Sequence, residues 1–518
     1  MDKRCKDLVV RIAKKLYDEG GQVYFVGGCV RDEILGFDSK DIDVEVHGVS
    51  PEALENALSE FGELQYIGKS FGVYNIKGYD IDFALPRREV PVGDGKHNMF
   101  EITVVPDMSL AESARRRDFT INAIMQNALT GEIFDLFGGI EDIKRKRIRH
   151  IDDKTFIEDP LRVFRAAQFS ARFGFDICYD TIKLIRTMDV RQLSKERVYD
   201  ELKKAMLKSR EPSRFFKALV VMNQIDFWFP EVSALQDVLQ NPKYHPEGDV
   251  FVHTMQVIDR IALMKDRAVN PEFLMMSALC HDFGKAVTTA LGNDNNWHAY
   301  GHETEGIDIA KGFIKRLNNN KHLSKYVTNM VMNHMKLAHI WFSPDSCVTD
   351  WAVGPILDES IEPVDLAILS WADNYNFTMQ NNLFDKYSHF CFCYIPELWD
   401  KLQHMPMVTG DDLIEIGLKP SKEFKAILDK AHKDVFRGRS KEAIMREIIG
   451  MYRHSNKDVA NYYAKMRAKI ITGNDLIEIG MSGSPEFGVK LDMLNKRLQN
   501  GELKQDLLDE VRKELETK

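Results

Sequence analysis

The hydrophobic and polar positions change period along the chain, and each period predicts a different kind of element. Residues 1–20 carry apolar side chains at the spacing of an amphipathic helix. Residues 23–46 (VYFVGGCVRDEILGFDSKDIDVEV) are predicted as strand, glycine turn, short helix and second strand. Helical periods then dominate from residue 158 onward. These patterns predict a multidomain α+β protein, with an α+β head followed by helical regions.

The composition is that of an ordinary globular protein. Of 518 residues, 44% are hydrophobic and 29% charged, and several domains are expected at this length. The net charge of −9 gives no global sign of a nucleic-acid partner, although basic runs occur at 115–117 and 144–149. No CxxC pair occurs among the seven cysteines, and no run is apolar enough for a signal peptide or a membrane span. We therefore expect reduced thiols, a cytoplasmic location and no membrane partner.

Two carboxylates on the second strand predict a metal site. Asp41 and Asp43 are two residues apart, so their side chains project from the same face of a strand. Mg²⁺ prefers hard oxygen ligands and typically takes one or two carboxylates together with substrate phosphates. At the preceding turn, Gly28 lets a ligand approach the backbone, and Arg31 can pair with phosphate oxygens. Asp-x-Asp alone is common on solvated strand edges, so the prediction depends on the whole strand–GG–helix–strand order.

This order, GGCVRDEILG…DIDVEV, resembles the signature of tRNA nucleotidyltransferases (CCA-adding enzymes) and bacterial poly(A) polymerases. Both are template-independent members of the polymerase-beta superfamily. RRRDFTINAI at 115–124 resembles a second motif of the same family. The resemblance implies a polymerase-beta-type head in which Asp41, Asp43 and Asp82 are catalytic, and in which Asp41 and Asp43 hold Mg²⁺. It also implies that nucleotide triphosphate is held by Gly28, Arg31, Arg117 and Arg165.

A later segment predicts how a base is chosen. Asp159 and Arg162 in EDPLRVFRAAQF are three apart at a helix start, where the ordinary interpretation is a surface ion pair. Cytosine and adenine both offer an amine donor beside a ring-nitrogen acceptor, which matches a carboxylate beside a guanidinium. Uracil and guanine would be mismatched at both contacts. The block resembles the family's base-selecting EDxxR motif, except that Gln168 stands where many relatives carry arginine.

A second group of residues predicts another metal centre. His253, His281, Asp282 and Asp373 fall on separate predicted helices, and in this order they resemble the ligands of the HD metal phosphohydrolase domain. Imidazole and carboxylate ligands suit Mn, Ni, Fe, Co or Mg. His302 and His334 serve a second ion, bind phosphate or are ordinary histidines, and the sequence leaves these alternatives open.

The C-terminal region contains an internal repeat. MVTGDDLIEIGLKPSKEF at 407–424 and IITGNDLIEIGMSGSPEF at 470–487 match at an offset of 63 residues. Each copy predicts a threonine N-cap, a short helix and a closing glycine, with a structural role. We divide the chain into a nucleotidyltransferase head (1–145), a helical neck with the base-selecting region (146–240), an HD domain (241–395) and a helical tail (396–518).

The function that these resemblances imply is addition of CMP and AMP to tRNA 3′ ends from CTP and ATP, with a metal-dependent phosphohydrolase activity in the HD domain. The expected partners are tRNA, CTP and ATP, and no obligate protein partner is indicated. One alternative is a poly(A) polymerase or an enzyme that adds only A, because the motifs are shared. A second alternative is an HD phosphohydrolase whose head binds RNA.

Overall fold

The computed structural model of the protein describes residues 2–39, 41–66, 73–92, 99–343, 348–468, 470–481, 485–499 and 504–516. The chain divides into two compact units, one formed by residues 1–335 and 364–388 and the other by 336–363 and 389–518. The four-domain division stays a prediction. A search of the described helices finds none with the length and apolar character that crossing a bilayer requires.

The head is built on strands and a few short helices. Its strands are β1 (Gln22–Val26), β2 (Ile42–His47), β3 (Leu64–Tyr66), β4 (Val73–Ile76), β5 (Ile81–Ala84), β6 (Arg87–Val92), β7 (Met99–Val104), β8 (Met125–Asn127), β9 (Ile133–Phe134) and β10 (Arg147–Ile148). Its helices are α1 (Lys3–Tyr17), α2 (Gly28–Ile34), α3 (Pro51–Ser59), α4 (Leu110–Arg115) and α5 (Gly139–Lys144), with a 3₁₀ turn at Thr120–Asn122.

A mixed seven-stranded sheet positions the residues of the head. Its strand order is β3-β4-β5-β2-β1-β8-β9, and β2 and β5 are parallel neighbours while the other pairs are antiparallel. Helix α1 packs on β1 and α3 through apolar residues at helical spacing, including Leu8, Ile12 and Leu16. Strands β6 and β7 form a separate antiparallel pair.

The neck is helical and has an aromatic core. Its elements are α6 (Asp153–Phe156), α7 (Arg162–Phe173), β11 (Asp176–Ile177), α8 (Tyr179–Ile185), α9 (Lys195–Lys208), α10 (Ser213–Val221) and α11 (Pro230–Ser233). Helix α7 packs against both α9 and α10, and Phe164, Phe215, Phe216 and Phe229 make edge-to-face contacts in the core. Helix α7 begins at Arg162, so Asp159 precedes the helix that the sequence placed it in.

The next region supplies helices to the second site. They are α12 (Val250–Ala262), α13 (Pro271–Cys280), α14 (Lys285–Thr288), α15 (His302–Leu317) and α16 (Lys321–Phe342), with a 3₁₀ turn at Lys265–Arg267 and a hairpin of β12 (Ala290–Leu291) and β13 (Trp297–His298). After residue 349 come α17 (Asp350–Glu359), α18 (Pro363–Asp373), α19 (Tyr375–Gln380), α20 (Phe384–His389), a π-helical turn (Phe390–Tyr394) and α21 (Ile395–Gln403). Helix α13 is buried almost all round, as expected for a central helix.

The internal repeat folds twice in the same way. Helices α22 (Gly410–Glu415) and α23 (Lys422–Phe436) begin in the first copy, and α26 (Gly473–Glu478) and α27 (Pro485–Gln499) are their counterparts in the second. Each pair is followed by a further helix, α24 (Lys441–Tyr452) and α28 (Lys504–Glu516), and α25 (Lys457–Ala468) lies between the two groups. Thr409 and Thr472 each form a capping box with the aspartate three residues later, and each short helix ends before a glycine with φ of 97°. Each copy has its own apolar cluster. The predicted caps and closing glycines are therefore confirmed.

Candidate functional site

Three carboxylates meet at one end of the central sheet of the head. The parallel register of β2 and β5 places Asp43 opposite Asp82, so their side chains share one face. Asp41 lies just before β2, two residues from Asp43. Partial desolvation raises the pKa of Asp43, and the charges of Asp82 and Asp41 raise it further against the opposing charge of Arg117. Such mutual repulsion favours a divalent cation, and the donor set of hard oxygens fits Mg²⁺.

The glycine turn leaves room for an arginine beside these carboxylates. Gly27 follows β1 with φ of +71°, a conformation that favours glycine. A Cβ atom built on Gly27 would lie 2.9 Å from Nη1 of Arg117 and 3.6 Å from Oδ2 of Asp43. A side chain at this position would therefore displace Arg117. The turn places Gly28, at the start of α2, beside the same space.

A buried glutamate that sequence reasoning missed holds the arginines in place. Glu45 is 1% exposed, and its carboxylate accepts a hydrogen bond from Ser113 and lies 3.3 Å from Arg116 and 3.5 Å from Arg117. Burial opposes its charge, but His47, Arg117, Arg116 and Ser113 together lower the pKa of Glu45 to about 2. The glutamate is therefore charged at neutral pH and orients Arg117 towards the carboxylates.

The guanidinium of Arg31 lies in a buried hydrogen-bond network. This side chain is 3% exposed and donates to Oδ1 of Asp32 and to Asn122. Its guanidinium also stacks against Phe169 and Phe173 at 5.2 and 4.7 Å from the ring centroids. Three of its five N–H groups are thus committed to a buried network that joins α2 to the neck, and its role as a triphosphate ligand stays a prediction.

The two candidate base-selecting residues are each held by a different partner, so they do not form the surface ion pair that is the ordinary interpretation of this spacing. Asp159 accepts hydrogen bonds from Arg197 at 3.1 and 2.9 Å and from the backbone N–H of Leu161. Arg162 instead donates to the backbone carbonyls of Thr155 and Arg116 at 2.8 and 2.6 Å. Two of the five guanidinium N–H groups of Arg162 are used in this way, so donors remain for a base. The carboxylate of Asp159 likewise keeps acceptor capacity on Oδ2.

Arg165 is fixed one turn further along α7. It donates to Oδ2 of Asp118 at 2.6 Å, while Oδ1 of Asp118 accepts from Asn122 and the N–H of Phe119. Burial opposes the charge of Asp118, yet Arg165 and Asn122 lower the pKa of this carboxyl. Asp118 therefore orients Arg165. On the same helix, Gln168 is 2% exposed and its Nε2 has no hydrogen-bond partner in the described residues.

The second site gathers the four expected ligands at one point. Nε2 of His253 lies 2.9 Å from Oδ1 of Asp373 and 3.7 Å from Oδ2 of Asp282. Nε2 of His281 lies 3.3 Å from Oδ2 of Asp282 and 3.7 Å from Asp373. His281 and Asp282 directly follow α13, and Asp373 ends α18. The backbone thus brings side chains from separate helices to one point, as the resemblance to the HD domain implied.

Two more histidines complete a second set around the same aspartate. Oδ1 of Asp282 lies 3.4 Å from Nε2 of His302 and 3.8 Å from Nε2 of His334. Potential ligand atoms form two compact groups, His253–His281–Asp282 and Asp282–His302–His334. Asp282 belongs to both, with one oxygen towards each. This arrangement fits two divalent ions bridged by one carboxylate. Of the alternatives for His302 and His334, the geometry therefore favours binding of a second ion.

The surrounding groups fix these imidazoles with Nε2 facing inward. Nδ1 of His253 lies 2.6 Å from Glu247, and Nδ1 of His281, His302 and His334 lies 2.6–2.8 Å from a backbone carbonyl. Such contacts are typical of metal-binding histidines, because they set the tautomer and the orientation of the ring. Glu247 also lies 3.2 Å from Nδ1 of His245. Sequence reasoning missed both residues.

Charges in this site favour a cation. Burial opposes the charge of Asp282, but Lys285 and His281 lower the pKa of its carboxyl well below the usual range. Burial also opposes protonation of His281, yet Asp282 and Asp373 raise its pKa to about 10. Burial, with the neighbouring His302 and His281, lowers the pKa of His334 to about 3 and keeps it neutral, the form that binds a metal. Within the described residues, Nε2 of His281 and Oδ1 of Asp282 are buried without a hydrogen bond, which fits a bound ion.

Three family models match separate parts of the chain. The Poly A polymerase head domain model matches residues 23–149, the model of the probable RNA- and SrmB-binding site of polymerase A matches 174–235, and the HD domain model matches 250–377. Among solved structures, the complex of a CCA-adding enzyme with CTP has a TM-score of 0.58 at 20% identity and covers 87% of this chain and 96% of its own. The Thermotoga maritima CCA-adding enzyme complexed with tRNA has a TM-score of 0.55 at 20% identity, covering 87% and 96%. These confirm the predicted fold.

Curated relatives are closer in sequence. The multifunctional CCA protein of Actinobacillus pleuropneumoniae serotype 5b (strain L20) is 40% identical over 303 residues, which span 57% of this chain and 71% of the relative. The corresponding protein of Pasteurella multocida (strain Pm70) is 38% identical over 303 residues, 57% of this chain and 69% of the relative. On this identity and coverage, the chain belongs to the family of multifunctional CCA proteins.

Proposed function

We propose that the head and neck add CMP and AMP to tRNA 3′ ends from CTP and ATP. The observation that carries this is the register of β2 and β5, which brings Asp43 and Asp82 together beside Asp41 and next to the Gly27–Arg117 turn. Asp41, Asp43 and Asp82 would hold Mg²⁺, which supplies charge stabilisation at the transferred phosphate when bound. The names of the relatives, and of solved structures with CTP, ATP and tRNA, support the same substrates.

Side chains and backbone groups of the head and neck bind the triphosphate, select the base and position one another. Arg117, oriented by Glu45, neutralises triphosphate oxygens, and Gly28 lets them approach the backbone. Asp159 accepts the amine of cytosine or adenine, while Arg162 donates to the ring nitrogen. Arg197 holds Asp159 in place, and Asp118 does the same for Arg165, which remains a proposed triphosphate contact. Arg31 ties α2 to the neck.

The test is addition to a tRNA that lacks its CCA end, with each NTP and Mg²⁺, followed by sequencing of the product. Addition of C, C and A and then termination supports the proposal, whereas a long A tail or a single A identifies the poly(A) or A-only alternative. Asp43→Ala should abolish incorporation and retain tRNA binding. Asp18→Ala, at the exposed end of α1, is the matched carboxylate control and should incorporate like the wild type.

We further propose a metal-dependent phosphohydrolase activity in the HD region. The supporting observation is the pair of ligand groups that share Asp282. The donor set fits Mn, Ni, Fe, Co or Mg, and a bound ion would lower the pKa of a water that serves as nucleophile. Lys285, 2.7 Å from Asp282 and bonded to Gln240, supplies a fixed positive charge beside the site for a phosphate.

The phosphohydrolase assay uses 2′,3′-cyclic AMP and bis-p-nitrophenyl phosphate across Mg²⁺, Mn²⁺ and Ni²⁺. Hydrolysis that is lost in Asp282→Ala supports the proposal, and inactivity of the wild type on every combination contradicts it. A role in repair would follow, since removal of a 2′,3′-cyclic phosphate exposes the hydroxyl that the transferase extends. We also propose a cytoplasmic location, in keeping with the free thiols of the described cysteines.

A further inference from the structure

An exposed tyrosine stands beside the second metal centre. Tyr300 is 81% exposed, more than any other large hydrophobic side chain among the described residues. One face of its ring stacks on His298, with centroids 5.1 Å apart and an angle of 8° between the planes. The ring is thus supported on one side while most of its surface is open to solvent.

His298 is itself firmly held, so it can support the tyrosine. It lies on β13, which pairs with β12 through the register Ala290–His298. Its Nε2 lies 2.9 and 3.0 Å from the two carboxylate oxygens of Asp294. Gly292 packs closely against the ring, since a Cβ atom there would lie 2.7 Å from Cδ2 of His298. Because Tyr300 rests on a fixed ring, little rotamer entropy would be lost on binding.

The position of the platform links it to the metal ligands. Tyr300 is two residues before His302, so their Cα atoms lie within about 7 Å of each other. Ala299, between the stacked rings in sequence, accepts the Nδ1 contact that orients His302 at 2.8 Å. The hairpin therefore carries an aromatic surface and a metal-ligand contact on adjacent residues.

We propose that Tyr300, braced by His298, is a stacking platform for the nucleobase of a nucleoside phosphate whose phosphate lies at the centre around Asp282. The inference rests on the proposed phosphohydrolase function and specifies its substrate as a base-bearing phosphate ester. Stacking on an aromatic ring is tolerant of base identity because every base has a π-face. The platform therefore accepts guanine, which Asp159 and Arg162 in the head would reject.

This difference gives a clean test. The substrates are guanosine 2′,3′-cyclic phosphate, which has a base but does not suit the head, and glycerol 1,2-cyclic phosphate, which has no base. Stacking on an aromatic side chain is worth about 1–3 kcal/mol, so Tyr300→Ala should raise KM for the guanosine ester roughly 5- to 150-fold. The kcat/KM for the glycerol ester should stay at the wild-type value. Tyr300→Phe should keep the wild-type KM, because it keeps the ring.

The matched control is Tyr179→Ala, which removes another exposed tyrosine (70% exposed) from the neck. It should change neither the KM for the guanosine ester nor the kcat/KM for the glycerol ester. An equal loss of kcat/KM on both esters, or an unchanged KM for the guanosine ester in Tyr300→Ala, would refute the proposed role of Tyr300.

Equilibrium binding of guanosine 2′-monophosphate is measured in parallel by calorimetry. If the wild type hydrolyses neither of these esters and is also inactive on 2′,3′-cyclic AMP and bis-p-nitrophenyl phosphate, the phosphohydrolase proposal fails, and the binding measurement alone tests the role of Tyr300. A Kd that rises in Tyr300→Ala but not in Tyr300→Phe supports it, and equal Kd values refute it.

Discussion

Removal of Asp159 should weaken base choice much more than it weakens the fold. In Asp159→Ala the amine of an incoming cytosine or adenine loses its acceptor, which costs about 1–3 kcal/mol. The kcat/KM for CMP addition should therefore fall roughly 5- to 150-fold. UTP presents a carbonyl to the same position, so it gains when the carboxylate is removed. Discrimination between CTP and UTP should fall by at least the same factor.

Arg197 provides the way to separate positioning from contact. It holds both oxygens of Asp159 at 3.1 and 2.9 Å, but the two side chains are 42% and 35% exposed. A pair this exposed contributes about 0–1 kcal/mol to stability. Arg197→Met should therefore leave the melting temperature nearly unchanged. Discrimination between CTP and UTP should fall only a few-fold in this variant, because the backbone N–H of Leu161 still donates to Oδ1 of Asp159.

The assay is single-turnover incorporation of each of the four nucleotides on a tRNA lacking its end. Arg191→Met is the matched control, since it removes an arginine from an exposed ion pair with Asp189 elsewhere in the neck. In the double variant Asp159→Ala/Arg197→Met, loss of Arg197 should add nothing, because Arg197 acts through Asp159. Additive losses would refute this positioning role. Wild-type rates of UMP and GMP incorporation in Asp159→Ala would refute the base-selecting site itself.

Three further outcomes are expected. Asp43→Ala should reduce CMP addition by at least three orders of magnitude with tRNA affinity unchanged, and substantial incorporation would contradict the metal assignment. Asp282→Ala should abolish phosphohydrolysis and lower the bound metal measured by mass spectrometry, because both ligand groups share this residue; a full metal content would rule out the bridging role. His432 donates a hydrogen bond to Asp358, and this contact raises the pKa of the His432 imidazole. The contact therefore stabilises the folded protein fully below about pH 6.5, and its contribution is lost as the pH rises through the raised pKa. Asp358→Asn should therefore speed hydrogen exchange in α23 at pH 6 but not at pH 9, and an equal effect at both would contradict it.

The local patterns of the head were predictable from sequence. Alternation along a strand placed Asp41 and Asp43 on one side, and the order strand, glycine turn and helix was confirmed. Asp82 was identified as the third carboxylate from family resemblance alone, because a parallel register is a long-range property that no local pattern states. The register adds what the sequence lacked, namely that the two carboxylates are direct neighbours.

Charged side chains were harder to interpret because their partners are distant in sequence. Arg31 follows a Gly-Gly turn, which favours a phosphate ligand, yet Asn122, 91 residues away, and the rings of α7 bury it. Asp159 and Arg162 are three residues apart, but Asp159 pairs with Arg197, 38 residues later. The residues next to a charged side chain in the sequence do not indicate whether it will be buried. Its partner depends on which distant residues the folded core brings into contact with it. Arg197 lies in ERVYDELKKAML, a helical pattern in which nothing indicates a partner at Asp159.

Helix α9 connects the two proposed sites within the first unit. It carries Arg197, which holds Asp159, and two residues later Tyr199, whose hydroxyl donates to Glu272 at 2.8 Å. Glu272 lies in the first turn of α13, the helix that ends immediately before the His281–Asp282 pair. The ligands themselves are separate, so chemistry at one site needs no residue of the other. A shift of α9, however, would move both, so loss of CMP addition in a folded Asp282→Ala protein would indicate that occupancy of the metal site is transmitted along this route. Retained addition would indicate that α9 serves only as a shared rigid support.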